Sequence, residues 1–257
     1  MSGDSKRKVG VGVWTAVSVL GCAMVAVLAY TISTDGLPFR KELLTRWMAA
    51  LLIDFYINIA AIGAWIIYKE SSSWIIAIIW LLLLICFGSV TTCGYIVLQF
   101  YKLTPEQFSK DPFYFVLARH QNGDVAEHSK GLSVVAARVI FAVLGCLMLG
   151  TLLYTIIVDG SPFRAELYTP WVVATLIDFY INVVALAVWV AYKESSWISA
   201  ILWIFLTVCF GSIITCGYIV RQLFYLSADQ AVSLILFRNN NRDLKSSDPP
   251  LMVGADV

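Results

Sequence analysis

Asp54 and Asp178 have the greatest chemical potential in this chain, because each is a carboxylate set well inside a stretch that is otherwise almost wholly apolar. An ionised acid in hydrocarbon costs a few kcal/mol or more unless it is protonated, paired or hydrated, so acids placed this way are functional candidates by default. At helical spacing Asp54, Asn58, Ala61, Trp65 and Lys69 share one face, and Asp178, Asn182, Ala185, Trp189 and Lys193 repeat it. Such a stripe could line a path for a proton, a cation or a small solute. The same residues could equally fasten neighbouring helices by hydrogen bonds, a common use of polar groups in membranes. A second constellation is the turn containing Asp35, Gly36, Pro38, Phe39, Arg40 and Glu42, which returns with Asp159, Arg164 and Glu166 at the matching positions. Asp-Gly makes a turn, Pro sets its direction, and Arg with Glu can pair at headgroup level. The functional alternative is a pair of gates or lipid-headgroup contacts at opposite mouths of a path.

The elements that position these residues come from a duplication. Leu52-Ile-Asp-Phe-Tyr-Ile-Asn58 returns as Leu176-Ile-Asp-Phe-Tyr-Ile-Asn182, Tyr68-Lys-Glu-Ser-Ser72 as Tyr192-Lys-Glu-Ser-Ser196, and Thr92-Cys-Gly-Tyr-Ile-Val97 as Thr215-Cys-Gly-Tyr-Ile-Val220. With 60% apolar side chains, 14% charged ones and a mean hydropathy of +0.79, the chain belongs in a bilayer. A helix needs roughly 20 residues to cross a hydrocarbon core of about 30 Å. Six stretches approach or exceed that length: 11-33, 47-68, 74-101, 133-157, 171-192 and 197-225. The expectation is an all-α membrane protein of six transmembrane helices, arranged as two homologous three-helix repeats. Its divisions are a basic N-terminal flank (1-10), repeat 1 (11-119), a linker (120-132), repeat 2 (133-238) and a disordered tail (239-257). Three crossings per copy is an odd number, so the second copy should enter from the opposite side and the repeats should be inverted. In that arrangement Asn58 and Asn182 would meet near the midplane, with the two aspartates roughly 10 Å apart along the membrane normal.

Other features narrow the function classes. A net charge of +1 implies no nucleic-acid partner. Assigning Lys and Arg to the two sides splits them evenly, and only Lys6-Arg7-Lys8 tips the termini toward the cytoplasm. The apolar run after that cluster is too long for a signal peptide, and Val19-Leu-Gly-Cys22 recurs in mid-chain as Val143-Leu-Gly-Cys146, where lipoprotein processing cannot occur. All six cysteines lie in apolar stretches and read as packing residues rather than disulfides. Thr104-Pro-Glu-Gln107 and Ser227-Ala-Asp-Gln230 read as capping boxes that open short interfacial helices over 105-119 and 228-238. In the third helices Gly88, Thr92, Tyr95 and Gln99, and their twins Gly211, Thr215, Tyr218 and Gln222, line one face that suits close packing. Arg138, with Trp14 at the matching place, is read as snorkelling to the interface. His120 and His128 lie in the linker with no matching pair, and no metal or cofactor is assigned. The chain holds no Gly-x-Ser-x-Gly elbow, His-Glu-x-x-His or phosphate-cradling glycine loop.

The twin turn and Asp-Phe-Tyr-Ile-Asn signatures, each continuing to Trp and Tyr-Lys-Glu-Ser-Ser, resemble an uncharacterised plant multi-pass membrane family, domain of unknown function 1475, over nearly the whole chain. A single copy also resembles a bacterial family of three-helix membrane proteins with an intramembrane Asp and a Trp-x-x-x-x-Glu ending the second helix, here Trp65 with Glu70 and Trp189 with Glu194. The likeness implies a plant source and no substrate. Three readings stay open: a small carrier or channel lined by Asp54, Asn58, Trp65, Asp178, Asn182 and Trp189; a non-catalytic scaffold or assembly protein in which they are helix glue; and a lipid- or isoprenoid-acting enzyme using one aspartate as acid. The lipid bilayer is the partner common to all three, and the sequence says nothing of oligomeric state.

Overall fold

Three helix starts among the described residues carry a threonine cap. Thr45 accepts a hydrogen bond from the Met48 amide (3.1 Å) and Thr169 one from the Val172 amide (3.4 Å), opening the two helices that carry the polar stripes. The computed structural model describes residues 3–118, 133–228 and 230–237. The first copy contains α1 (Gly3–Asp35), α2 (Arg46–Lys69), α3 (Trp74–Phe87), α4 (Ser89–Tyr101), α5 (Pro105–Lys110) and α6 (Pro112–Leu117). The second contains α7 (Val134–Asp159), α8 (Pro170–Lys193), α9 (Trp197–Phe210) and α10 (Ser212–Phe224), followed by a 3-10 segment at Val232–Leu236. The expected linker, the two histidines and the expected disordered tail lie outside the described residues.

The duplicated long third helix does not form. Gly88 (φ 50°) and Gly211 (φ 57°) interrupt it, and the chain folds back on itself. On a straight helix the side chains of Trp80 and Tyr95 would stand about 22 Å apart. Their rings are instead 4.9 Å apart, as the Trp203 and Tyr218 rings are 5.1 Å apart. Thr91 Oγ1 donates to the Leu83 carbonyl at 2.8 Å, closing the first hairpin near its tip. Each arm, of 13 or 14 residues, rises about 20 Å, short of the hydrocarbon thickness. Among the described residues four helices remain that are long and apolar enough to cross: Arg7–Asp35, Arg46–Lys69, Val134–Asp159 and Pro170–Lys193.

This break corrects the expected inversion. Because each hairpin returns the chain to the end from which it left, the second copy begins at the same end as the first, and the copies run parallel. At one end of the bundle Trp171 Nε1 donates to the Gly36 carbonyl (3.2 Å) and Arg46 lies 3.5 Å from Asp159, so both Asp-Gly turns stand side by side. At the other end Phe113 meets Tyr192 (5.7 Å) and Tyr114 meets Phe237 (5.2 Å). The two polar-stripe helices pack together in the centre through Ile59, Ile62, Phe179, Val183 and Leu186. On the flanks α1 packs against α4, with Gly21 beside Cys93, and α7 against α10, with Gly145 beside Cys216. The six cysteines are free thiols.

The short interfacial elements differ from expectation in detail. The Thr104–Gln107 capping box forms in full, but Asp111-Pro112 divides the first segment into α5 and α6. In the second copy Gln230 Oε1 accepts from the Ser227 amide (3.0 Å), and a 3-10 turn follows instead of an α-helix. Arg138 stands near the start of α7, half-buried. It donates to the Leu223 and Leu226 carbonyls (3.0 and 2.7 Å), closing the C-terminal end of α10.

Candidate functional site

A helix that starts in the middle of a bundle exposes amide N–H groups that no residue of its own turn can satisfy. Breaking at Gly88 and Gly211 creates two such starts, at Ser89 and Ser212. Asp178 Oδ1 accepts the Ser89 amide and Asp54 Oδ1 accepts the Ser212 amide, both at 2.7 Å. Each carboxylate therefore caps the hairpin of the opposite copy, where the positive end of the helix dipole favours its charge. Glycine is required at the break for two reasons. Its φ is left-handed, and a Cβ would fall 2.3 Å from Asp178 Oδ2 at Gly88 or 2.2 Å from Asp54 Oδ2 at Gly211.

Each aspartate thus joins its own copy to the other. Asn58 and Asn182, both fully buried, do not bond to each other. Asn182 Oδ1 accepts from Thr92 Oγ1 (2.7 Å), and its Nδ2 donates to the Asp178 carbonyl (3.2 Å). The Asn58 amide has no hydrogen-bond partner among the described residues. Trp65 and Trp189 pack edge-on against Tyr95 (5.2 Å) and Tyr218 (5.4 Å).

A second pair of polar clusters sits at the far ends of α2 and α8. Glu70 Oε1 accepts from Tyr95 Oη (2.8 Å) and Gln99 Nε2 (3.3 Å), and Glu194 Oε1 accepts from Tyr218 and Gln222 at the same distances. Ser199 adds a bond to Glu194 Oε2 (2.7 Å), and Arg221 approaches to 3.8 Å. Sequence reading treats these glutamates as turn residues or as part of a family likeness. The signal available was their presence in both Lys-Glu-Ser-Ser turns, opposite a tyrosine and a glutamine also kept in both copies. The neighbouring lysines leave the stripe. Lys69 donates to the Phe115 (3.1 Å) and Val116 carbonyls, and Lys193 to the Ile235 and Phe237 (2.8 Å) carbonyls, holding the short terminal segments against the bundle.

The turns are built from Asp and Arg rather than from Arg and Glu. Arg40 pairs with Asp35 (2.8 Å) and Arg164 with Asp159 (3.4 Å), each arginine also donating to its aspartate's carbonyl at 2.6 Å. Glu42 and Glu166 stand exposed in 3-10 turns. Since both turns lie at one end, they are not gates at opposite mouths. An apolar groove of about 540 Å³ runs between α1 and α8, lined by Val27, Tyr30, Tyr168 and Val173 among others, and it does not reach the aspartates.

These features define a membrane-embedded, all-helical protein whose two homologous units interlock through buried acids. The chain belongs to the family described as Protein of unknown function (DUF1475), whose profile matches residues 3–124 and again residues 108–243, once for each copy. No curated protein and no solved structure matches it.

Proposed function

We propose that the protein is a non-catalytic membrane scaffold that crosses the bilayer four times, with two helical hairpins entering part-way from the side that bears both chain termini. The observation that carries this reading is the reciprocal capping by Asp54 and Asp178, which commits the intramembrane acids to holding the copies together. Parallel repeats related by an axis along the membrane normal put the N terminus, the linker between copies and the C-terminal segment on one side. The Lys6-Arg7-Lys8 cluster favours the cytoplasm for that side.

A carrier reading keeps two observations in its favour. Helices broken inside the membrane are a frequent setting for transport sites, and Asn58 brings an unpartnered polar group to the same depth. One pair of measurements separates the two. Asp54→Ala and Asp178→Ala should each cut the yield of folded, monodisperse protein and lower its thermal stability by about 2–3 kcal/mol, the cost of leaving buried amides uncapped. Liposomes holding the native chain should pass protons, cations and small solutes no faster than empty ones. A pH-dependent flux that Asp54→Asn abolishes in a protein of unchanged stability would overturn the scaffold and establish the carrier. Cysteine labelling within 120-132 tests the topology separately, with reaction from the termini's side expected.

A further inference from the structure

At the end of the bundle that holds the Asp-Gly turns, Arg40, Arg46 and Arg164 all lie against Asp35 or Asp159, so their charge is met within the protein. The opposite end of the first copy differs. Among the described residues no carboxylate oxygen comes within 4.0 Å of Arg7, Lys102 or Lys110, and all three residues are exposed.

The fold draws these three bases to one place. Gly10 of α1 faces α5 and α6 so closely that a Cβ there would fall 2.8 Å from the Pro112 ring, and Phe100 of α4 meets Phe108 and Phe113, each at 6.2 Å. Arg7 lies three residues before Gly10 and so on the same face of α1, Lys102 lies two residues after Phe100, and Lys110 stands midway between Phe108 and Pro112. The three therefore rim one apolar cluster. The matching positions of the second copy hold Gly131, Tyr225 and Ser233, so the basic rim belongs to one copy alone.

Neighbouring charges leave the rim positive. Lys8 adjoins Arg7, Lys6 and Asp4 cancel, Asp111 accepts the Tyr114 amide (3.2 Å) as a helix cap, and Glu106 of α5 is exposed. Lys69, close to Lys102, is attracted by Glu70, and that pair adds no net charge. The rim also stands at headgroup level. From Arg7 to Asp35 the first helix has 29 residues and rises about 42 Å, the thickness of a bilayer with both of its headgroup layers. Tyr101, beside Lys102, is exposed, as aromatic residues at that level are.

We propose that Arg7, Lys102 and Lys110 form a docking site for the phosphate of an anionic lipid in the leaflet on the termini's side. Their long stems reach along the apolar surface while their charges stay among the headgroups, and a lipid phosphate brings the counter-charge that the chain does not supply. The site rests on the four-crossing arrangement, which puts α5 and α6 at the membrane face, and not on the role of the aspartates.

The test is a titration of the purified full chain in detergent, read by native mass spectrometry, with short-chain phosphatidylglycerol and phosphatidylcholine as separate probes. The native chain should bind phosphatidylglycerol roughly tenfold more tightly or better, and the preference should shrink as the salt concentration is raised. Arg7→Gln, Lys102→Gln and Lys110→Gln should each reduce it roughly fivefold, the equivalent of about 1 kcal/mol for each base beside an anionic surface. The triple variant should lose it. Arg40→Gln combined with Arg164→Gln, at the other end of the bundle, should keep it. Thermal unfolding of the triple variant should match that of the native chain, so that its loss of binding does not come from misfolding. Equal binding of the two lipids by the native chain, a preference that survives in the triple variant, or one that the Arg40→Gln and Arg164→Gln pair removes as fully would overturn the proposal. Cysteine labelling within 120-132 reports on the four-crossing arrangement by itself, which tells a failed topology from a failed site.

Discussion

At the two glycine breaks the contacts between the copies match: Asp54 to Ser212 and Asp178 to Ser89 have one length, 2.7 Å, and each break leaves no room for a Cβ. At the outer ends the copies diverge. Glu194 has Ser199 and Arg221 as additional neighbours, whereas Ile76 and Leu98 stand at the corresponding places around Glu70. The difference teaches which interactions are shared and which are private. A cap supplied by the other copy binds both halves, so a change on either side leaves a buried donor or acceptor without its partner. A side chain at the end of one copy's hairpin answers only to its own copy and is free to become an arginine in one and a leucine in the other.

Substitution at the breaks should give the largest effect and should treat the copies alike. Gly88→Ala and Gly211→Ala each place a Cβ against a carboxylate at a left-handed φ, at a cost of about 3 kcal/mol or more. Size-exclusion profiles should show both variants losing most of their folded protein, and a tolerated Gly211→Ala would break the equivalence of the two locks. The buried asparagines should separate the copies at an intermediate scale. Asn182→Leu leaves the Thr92 hydroxyl only its longer 3.4 Å bond to the Gly88 carbonyl and should cost about 1–2 kcal/mol, whereas Asn58→Leu removes an unpartnered amide and should be neutral or stabilising in thermal unfolding. Equal losses at both positions would show that Asn58 has a partner after all. The exposed turns should matter least. Arg40→Ala and Arg164→Ala should each shift stability by under about 1 kcal/mol, as exposed ion pairs do, with the effect fading at high salt.

The membrane class, the duplication and the polar residues of the interior were all legible in the chain. Composition and the length of the apolar runs report burial in lipid directly, and Asp54 and Asp178 stand out because nothing else in their surroundings is charged. The Thr104–Gln107 cap was legible because both of its hydrogen bonds span three residues. The hairpins were not. Residues 74-101 are apolar and helix-forming on both sides of Gly88, so local preference reads one long crossing, and a lone glycine in a membrane helix is an ordinary packing residue. From that single misreading followed the odd count of crossings, the inversion, the meeting of Asn58 with Asn182 and the placing of the two turns at opposite mouths.

What the sequence determined by itself was therefore the local and the repeated: which segments are helical and oily, where hydroxyls begin helices, and which polar residues both copies keep. Only the tertiary structure decided that each third helix turns back, that the copies run parallel and that each aspartate serves the other copy. The physical reason lies in distance along the chain. A break inside the membrane is stable only if its freed amide finds an acceptor, and for Ser89 that acceptor is Asp178, a residue whose approach no local pattern encodes.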